Sequence, residues 1–296
     1  MDDMVALPGG SYRMGSAFYP EEGPVHEERV ASFELDRHAV TNAAFAQFVT
    51  ATGHVTVAEQ PLDPANFPAA QLESLQPGSL VFMATPGPVD LHDWRQWWRW
   101  VPGANWREPY GPGSTIAGKD DHPVVQVAYP DAVTYAAWAG KRLPTEVEWE
   151  YAARGGLDQA TFAWGEMPND GMRANSWQGR FPHLNTGAGM GSWTGTAPVG
   201  SFPPNGFGLH EVTGNTWEWT SSWWTDRLQP ATTTCRCSPD SARLGSIAAG
   251  EVTPRRVTKG GSHLCAPEYC LRYRPAARSP QTEDSSTTHL GFRCAR

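Results

Sequence analysis

No stretch of this sequence is apolar for long enough to cross a bilayer, and its start, MDDMVALPGGSYRMGS, has no basic region followed by an apolar core. No membrane partner is expected, and a cytoplasmic location is. Positive charge is scarce: 23 Lys and Arg against 31 Asp and Glu give a formal net charge of −8, whereas binding to phosphates needs clustered cations. That balance argues against nucleic acid as the main partner and tolerates a basic peptide. Cysteine is sparse and odd in number. Cys235, Cys237, Cys265, Cys270 and Cys294 cannot all pair within the chain, so at least one is unpaired or bonded between molecules, and the uneven spread is not that of a small disulfide-stapled domain. No internal repeat of solenoid period is visible.

What is present suits a folded, loop-rich protein. The 30 Gly and 26 Pro among 296 residues stay below the proportion that marks disorder, and 14 Trp supply material for a large core. A single domain over residues 1–296 is expected, with the Pro- and Thr-rich stretch 228–253 read as an insertion loop. Val5 to Leu7 reads as a strand, and the apolar stretch Phe33 to Leu35 pairs with it. VTNAAFAQFVTATG reads as a helix capped by Thr41 or Asn42, with Ala44, Phe45, Phe48 and Val49 on one face and Gly53 as its stop. PDAVTYAAWAGKRLPTEVEWEYAARGG holds two more helices. Pro130 opens the first, while Thr145 with Glu148 forms a capping box for the second, closed by Gly155. The cluster Trp94, Trp97, Trp98 and Trp100 reads as aromatic packing under a long loop. Short strands and turns follow Gly156, so the class is α+β with little regular structure.

The chemistry concentrates in GGSHLCAPEYCLRYRPAARSPQTEDSSTTHLGFRC, residues 260–294, which sets Cys265 and Cys270 beside Ser262 and Tyr269. Paired thiolates are soft ligands, and two of them suit copper(I) best. Zinc would want four donors, and His263 is the one neighbour in sequence that could join the pair. On spacing alone, a short-loop disulfide or two inert thiols is an equal reading. Cys235 and Cys237 lie in a polar, turn-prone stretch and read as a surface loop.

The chain resembles the formylglycine-generating, sulfatase-modifying oxidases, through LPGGSYRMGS, RLPTEVEWEYAARGG, NSWQGRFP, PPNGFGL, GNTWEWTSSWW and HLGFRC. Most of these motifs belong to the broad fold family, whereas GGSHLCAPEYCLRYRPAARS is specific to the oxidase branch. The resemblance implies one irregular domain of the C-type-lectin-like kind. It implies conversion of a cysteine in a Cys-x-Pro-x-Arg context, on an unfolded or partly folded sulfatase, to Cα-formylglycine with molecular oxygen. The family's copper(I) ligands carry over to Cys265 and Cys270. Ser262 matches the family's active-site serine, and Tyr269 and Trp217 match residues lining the pocket. A turn serine and two core aromatics are the plainer readings of the same three positions. Arg272, Arg274 and Arg278 are expected to brace the loop.

A structural calcium ion is also implied, at Glu211, Gly214, Thr216 and Glu218. A further calcium position matches at Asn175 and Ser176, but its aspartate is missing from NTGAGMGSWTGT. Secreted animal relatives pair the final cysteine with one in the helix before GKRLP. Here Ala136 stands at that position and Cys294 is left alone. Pro275 replaces another disulfide cysteine. Two other readings compete: an iron-dependent oxidase of the sulfoxide-synthase branch, which needs three histidines, and a lectin-like binding module without catalysis.

Overall fold

Alternating apolar residues near the start of the chain form short strand pairs that close on each other. The computed structural model describes residues 3–64, 75–229 and 239–296. Strands β1 (Met4–Leu7), β2 (Gly10–Met14), β3 (His26–Val30) and β4 (Phe33–Asp36) make two antiparallel pairs, β1 with β4 and β2 with β3. Val5 stands opposite Leu35 and Leu7 opposite Phe33, the pairing expected from the two apolar stretches.

Helix α1 (Asn42–Thr52) begins where the Thr41 hydroxyl oxygen accepts the Ala44 N–H. It ends where Gly53, at φ 68°, turns left-handed and donates its N–H to Val49 O. Phe45 and Phe48 are fully buried against Tyr135 and Phe292. Each contributes about 1.5–3 kcal/mol by leaving water. Strands β5 (Gly78–Phe82) and β6 (Trp98–Pro102) then form an antiparallel ribbon. In α2 (Tyr129–Trp138), Pro130 occupies the first turn, where no N–H is needed, and the Asp131 carboxylate accepts from Ala128 N–H. In α3 (Glu146–Arg154), Thr145 and Glu148 cap each other's backbone, and Gly155 closes the helix at φ 57°.

The remaining strands are β7 (Gly179–Arg180), β8 (Leu184–Asn185), β9 (Trp217–Trp223), β10 (Arg255–Lys259), β11 (Arg278–Thr282) and β12 (Leu290–Gly291). A short helix, α4 (Pro239–Gly245), precedes β10. Four strands make the main sheet in the order β11-β10-β9-β12, with β12 parallel to β9 and the other pairs antiparallel. The α+β expectation with little regular structure therefore holds. Of the stretch read as an insertion, residues 230–238, with Cys235 and Cys237, lie outside the described residues. The rest carries α4 and is tied to β10 where Ser246 Oγ accepts Arg255 N–H at 3.1 Å.

Buried ion pairs fasten these short elements together. Arg293, after β12, holds Glu218 of β9 at 2.8 Å, Arg278 holds Glu146 at 2.7 Å, and Lys259 holds Glu150 at 3.0 Å. Arg274 reaches Glu22, which a single 3-10 turn (Pro20–Glu22) delivers from the other end of the chain. A charge left without its partner at such depth costs about 3–5 kcal/mol, so each pair holds one segment in register with another. Loops thus replace long helices and strands as carriers of precise geometry.

Candidate active site

The loop after β10 folds back on itself because Gly261 permits it. Its φ is 68°, and a Cβ there would lie 2.6 Å from the Arg272 carbonyl oxygen. Two tight turns follow. Cys265 N–H bonds to Ser262 O at 3.0 Å, and Cys270 N–H returns to Ala266 O at 2.7 Å. These turns place the Cys270 thiol within hydrogen-bonding reach of Cys265, and both cysteines are free. Cys265 is buried and Cys270 half-buried. The pair is asymmetric. The Cys270 S–H donates toward Cys265 and lowers the Cys265 thiol below its ordinary range, helped by the Ser262 N–H at 3.4 Å and the charge of Arg272. Donating that proton, together with burial, pushes Cys270 well up.

Both sulfurs line a cavity of about 180 Å³ that Ser262, Tyr269, Trp217 and His289 share. Cys265, Cys270, Ser262, Tyr269 and Trp217, the five residues expected at the site, are brought together by the structure. Ser262 Oγ accepts Leu264 N–H at 3.2 Å and lies 3.0 Å from His289 Nδ1. With its oxygen accepting from the backbone, the serine O–H is free to donate to the imidazole. His289 is held neutral, its pKa pushed down to about 3 by burial with a further push from His263. The main sheet positions this histidine: Trp217 N–H bonds to His289 O at 2.8 Å where β12 runs parallel to β9. Tyr269 stacks on Phe181 at 4.7 Å and meets the Trp97 edge at 5.4 Å. Burial raises its phenol to about 12, so it remains protonated.

Sequence reasoning missed His289, which lies 27 residues from Ser262 and carries no spacing signal. It also favoured packing over a binding surface for Trp97 and Trp98, yet both line the cavity, and Trp98 meets the His289 ring edge at 4.9 Å. His263 does not join the thiols: it is buried, its Nδ1 meets Asn215 O at 2.8 Å, and burial lowers its pKa to about 4. The three arginines brace the loop through carboxylates and carbonyls. Arg272 pairs with Glu21 at 2.7 Å and bonds to Arg278 O, while Arg274 and Arg278 hold Glu22 and Glu146.

The donor set of the cavity, two adjacent sulfurs of which one is buried and one half-buried, fits a soft monovalent ion such as copper(I). The residues expected for calcium do not fit a hard cation. Both Glu218 oxygens accept from the Arg293 guanidinium and one also from Trp149 Nε1 at 2.7 Å, so a calcium ion would have to break a buried ion pair. The Glu211 oxygens accept Gly200 and Phe202 N–H, and the carboxylate faces His38, an arrangement distinct from the convergent oxygens calcium takes. Gly214 sits at φ 80° and donates its N–H to Gly260 O, and Thr216 is buried beside Gly291. Asn175 donates to Gly195 O and Asn215 Oδ1, and the Ser176 hydroxyl accepts from Asn169 and Gln178.

Residues 1–296 match the family described as Sulfatase-modifying factor enzyme 1-like domain. The chain is 60% identical to the formylglycine-generating enzyme of Mycobacterium tuberculosis over 299 residues, covering 99% of this chain and 97% of that one. It is 38% identical to a bovine (Bos taurus) protein named inactive C-alpha-formylglycine-generating enzyme 2, over 99% of this chain and 87% of that protein. Among solved structures it is similar to PvdO from Pseudomonas aeruginosa, with TM-score 0.63 and 26% identity over 99% of this chain and 93% of that one. Overall likeness therefore spans active and inactive proteins, and the site has to carry the functional argument.

Proposed function

Because the chain belongs to the Sulfatase-modifying factor enzyme 1-like family, we propose that it converts a sulfatase cysteine to Cα-formylglycine, with molecular oxygen as the oxidant and copper(I) as its cofactor. The observation that carries this reading is the pair of adjacent free thiols, Cys265 and Cys270, in a cavity walled by aromatic rings. Those two sulfurs would hold the ion. When bound, copper(I) supplies a soft, oxygen-reactive centre with room for a third sulfur donor.

The chain's own residues prepare that centre. Thiol-to-thiol hydrogen bonding and the Arg272 charge already favour a thiolate at Cys265. Ser262 Oγ lies between Leu264 N–H and neutral His289, where its O–H is held in a hydrogen bond to Nδ1 and its oxygen is fixed toward the cavity. Tyr269, Trp97, Trp98, Phe181 and Trp217 exclude water, which limits side reactions of any oxidising species formed there. Tyr269 is 38% exposed and marks the rim, where an unfolded or partly folded sulfatase segment can enter. An iron-dependent reading lacks its three histidines: among the described residues the one three-donor metal cluster has two.

Mass spectrometry of a Cys-x-Pro-x-Arg peptide, incubated with the chain, copper(I) and oxygen, tests the proposal. The expected product is an aldehyde that reacts with an aminooxy probe, and it is absent for Cys265→Ser and Cys270→Ser. An unaltered peptide in the presence of folded, copper-loaded chain would overturn it.

A further inference from the structure

Away from the thiol cavity, His38, His210 and Glu211 each offer one donor atom, and the three atoms lie within 4.8 Å of one another. None of the three lines that cavity. His38 follows β4, while His210 and Glu211 lie in the loop before β9. We propose that these side chains form a second metal site, for a borderline divalent transition ion of which zinc is the representative.

Each donor already has the outer partner that metal-binding residues carry. His210 Nδ1 lies 2.8 Å from the Phe202 carbonyl oxygen. A carbonyl can only accept, so Nδ1 bears the proton and Nε2 keeps its lone pair. His38 Nε2 lies 3.7 Å from an Asp3 carboxylate oxygen, which draws the proton to that nitrogen. His38 Nδ1 is buried without a hydrogen-bond partner and lies 3.9 Å from Glu211 Oε2. A buried lone pair facing a carboxylate is unfavourable in an empty fold and becomes useful once a cation stands between them. Glu211 is fixed by the Gly200 and Phe202 N–H groups at 2.9 and 2.8 Å, each occupying part of one oxygen's accepting capacity. Arg37, the nearby cation, is engaged by Asp3 at 2.8 Å and by Gly208 O, so its charge is directed away from the three donors.

Two imidazoles and one carboxylate suit zinc and its neighbours. The set is too hard for copper(I) and too rich in nitrogen for calcium. Tetrahedral zinc would bring the donors to about 3.4 Å from one another, a shift of roughly 1 Å at the side-chain tips. The two imidazoles are half-buried and their rings lie 4.8 Å apart at 36°, so they have room to turn. Three protein donors leave a fourth position to water.

Cobalt(II) titration of the full chain, read by absorption, tests the site. Binding at His38, His210 and Glu211 gives weak d–d bands without thiolate charge-transfer absorption, whereas binding at Cys265 and Cys270 gives that absorption strongly. The expected result is one equivalent of the thiolate-free species, displaced by zinc. His38→Ala and His210→Ala each weaken it by at least about tenfold, and Asp3→Asn by about tenfold. His38→Gln guards against misfolding, because the His38 side chain makes no hydrogen bond that the fold relies on, and its melting temperature without metal should match that of the parent. A purely thiolate spectrum, or unchanged affinity in folded His38→Gln and His210→Ala, would overturn the proposal.

Discussion

Replacing His289 by asparagine removes from the thiol cavity an imidazole that burial keeps neutral, and the consequence is a change in how stability depends on pH. The folded pKa is about 3, whereas an unfolded histidine titrates near its ordinary value of about 6.5. Between those values the unfolded chain binds the extra proton and the native chain does not. Stability is therefore complete above the unfolded value and is lost as pH falls through the window toward 3. From about pH 7.5 to about pH 5, His289 alone removes about 2 kcal/mol, roughly a thirtyfold shift toward the unfolded state. A folded pKa near 4 would give nearly the same loss, since at pH 5 the native ring is neutral either way. Urea midpoints of parent and His289→Asn, measured at both pH values and one ionic strength, isolate this contribution as a difference of differences. The loss on acidification should be smaller in the variant by about 2 kcal/mol, or roughly 4 °C in melting temperature. Equal losses in the two proteins would refute the neutral, buried imidazole and with it the serine-to-histidine direction of the hydrogen bond.

Silver(I), soft and monovalent like copper(I) but inert toward oxygen, should bind one equivalent at Cys265 and Cys270 and inhibit formylglycine production; isothermal titration together with the peptide assay checks both. Thiol reductant should leave the melting temperature unchanged to within about 1 °C, because among the described residues all three cysteines, Cys265, Cys270 and Cys294, are free and contribute no disulfide constraint. Glu218→Gln strands the buried Arg293 cation and should cost about 3–5 kcal/mol in urea unfolding, with the midpoint lowered accordingly. Gly261→Ala drives a Cβ into the Arg272 backbone, so the loop carrying Ser262 and Cys265 should shift. Silver affinity measured in folded Gly261→Ala should fall together with turnover.

Much of the local structure was legible because its causes are local. Thr41 and Gly53 bound α1, Thr145, Glu148 and Gly155 bound α3, and the apolar residues of β1 and β4 pair as their alternation demanded. The thiol loop was legible for the same reason, since Ser262, Cys265, Tyr269 and Cys270 fall within nine consecutive residues. The resemblance placed Trp217 beside them, and residue spacing alone would not have done so. Calcium at Glu211 and Glu218 was an expectation from the resemblance, and the partners of these two carboxylates were not legible in it. A carboxylate in a motif does not reveal its partner, and Arg293 had taken Glu218 while two imidazoles stood near Glu211.

Sequence by itself determined which segments turn, cap and pair, and that two soft donors share one loop, because those properties depend on residues a few positions apart. Tertiary structure alone decided that His289 meets Ser262, that Trp97 and Trp98 wall the cavity, and that His38 meets His210 and Glu211. In each case the partners approach through strand pairing and buried ion pairs between distant parts of the chain, and no periodicity in the sequence encodes that approach.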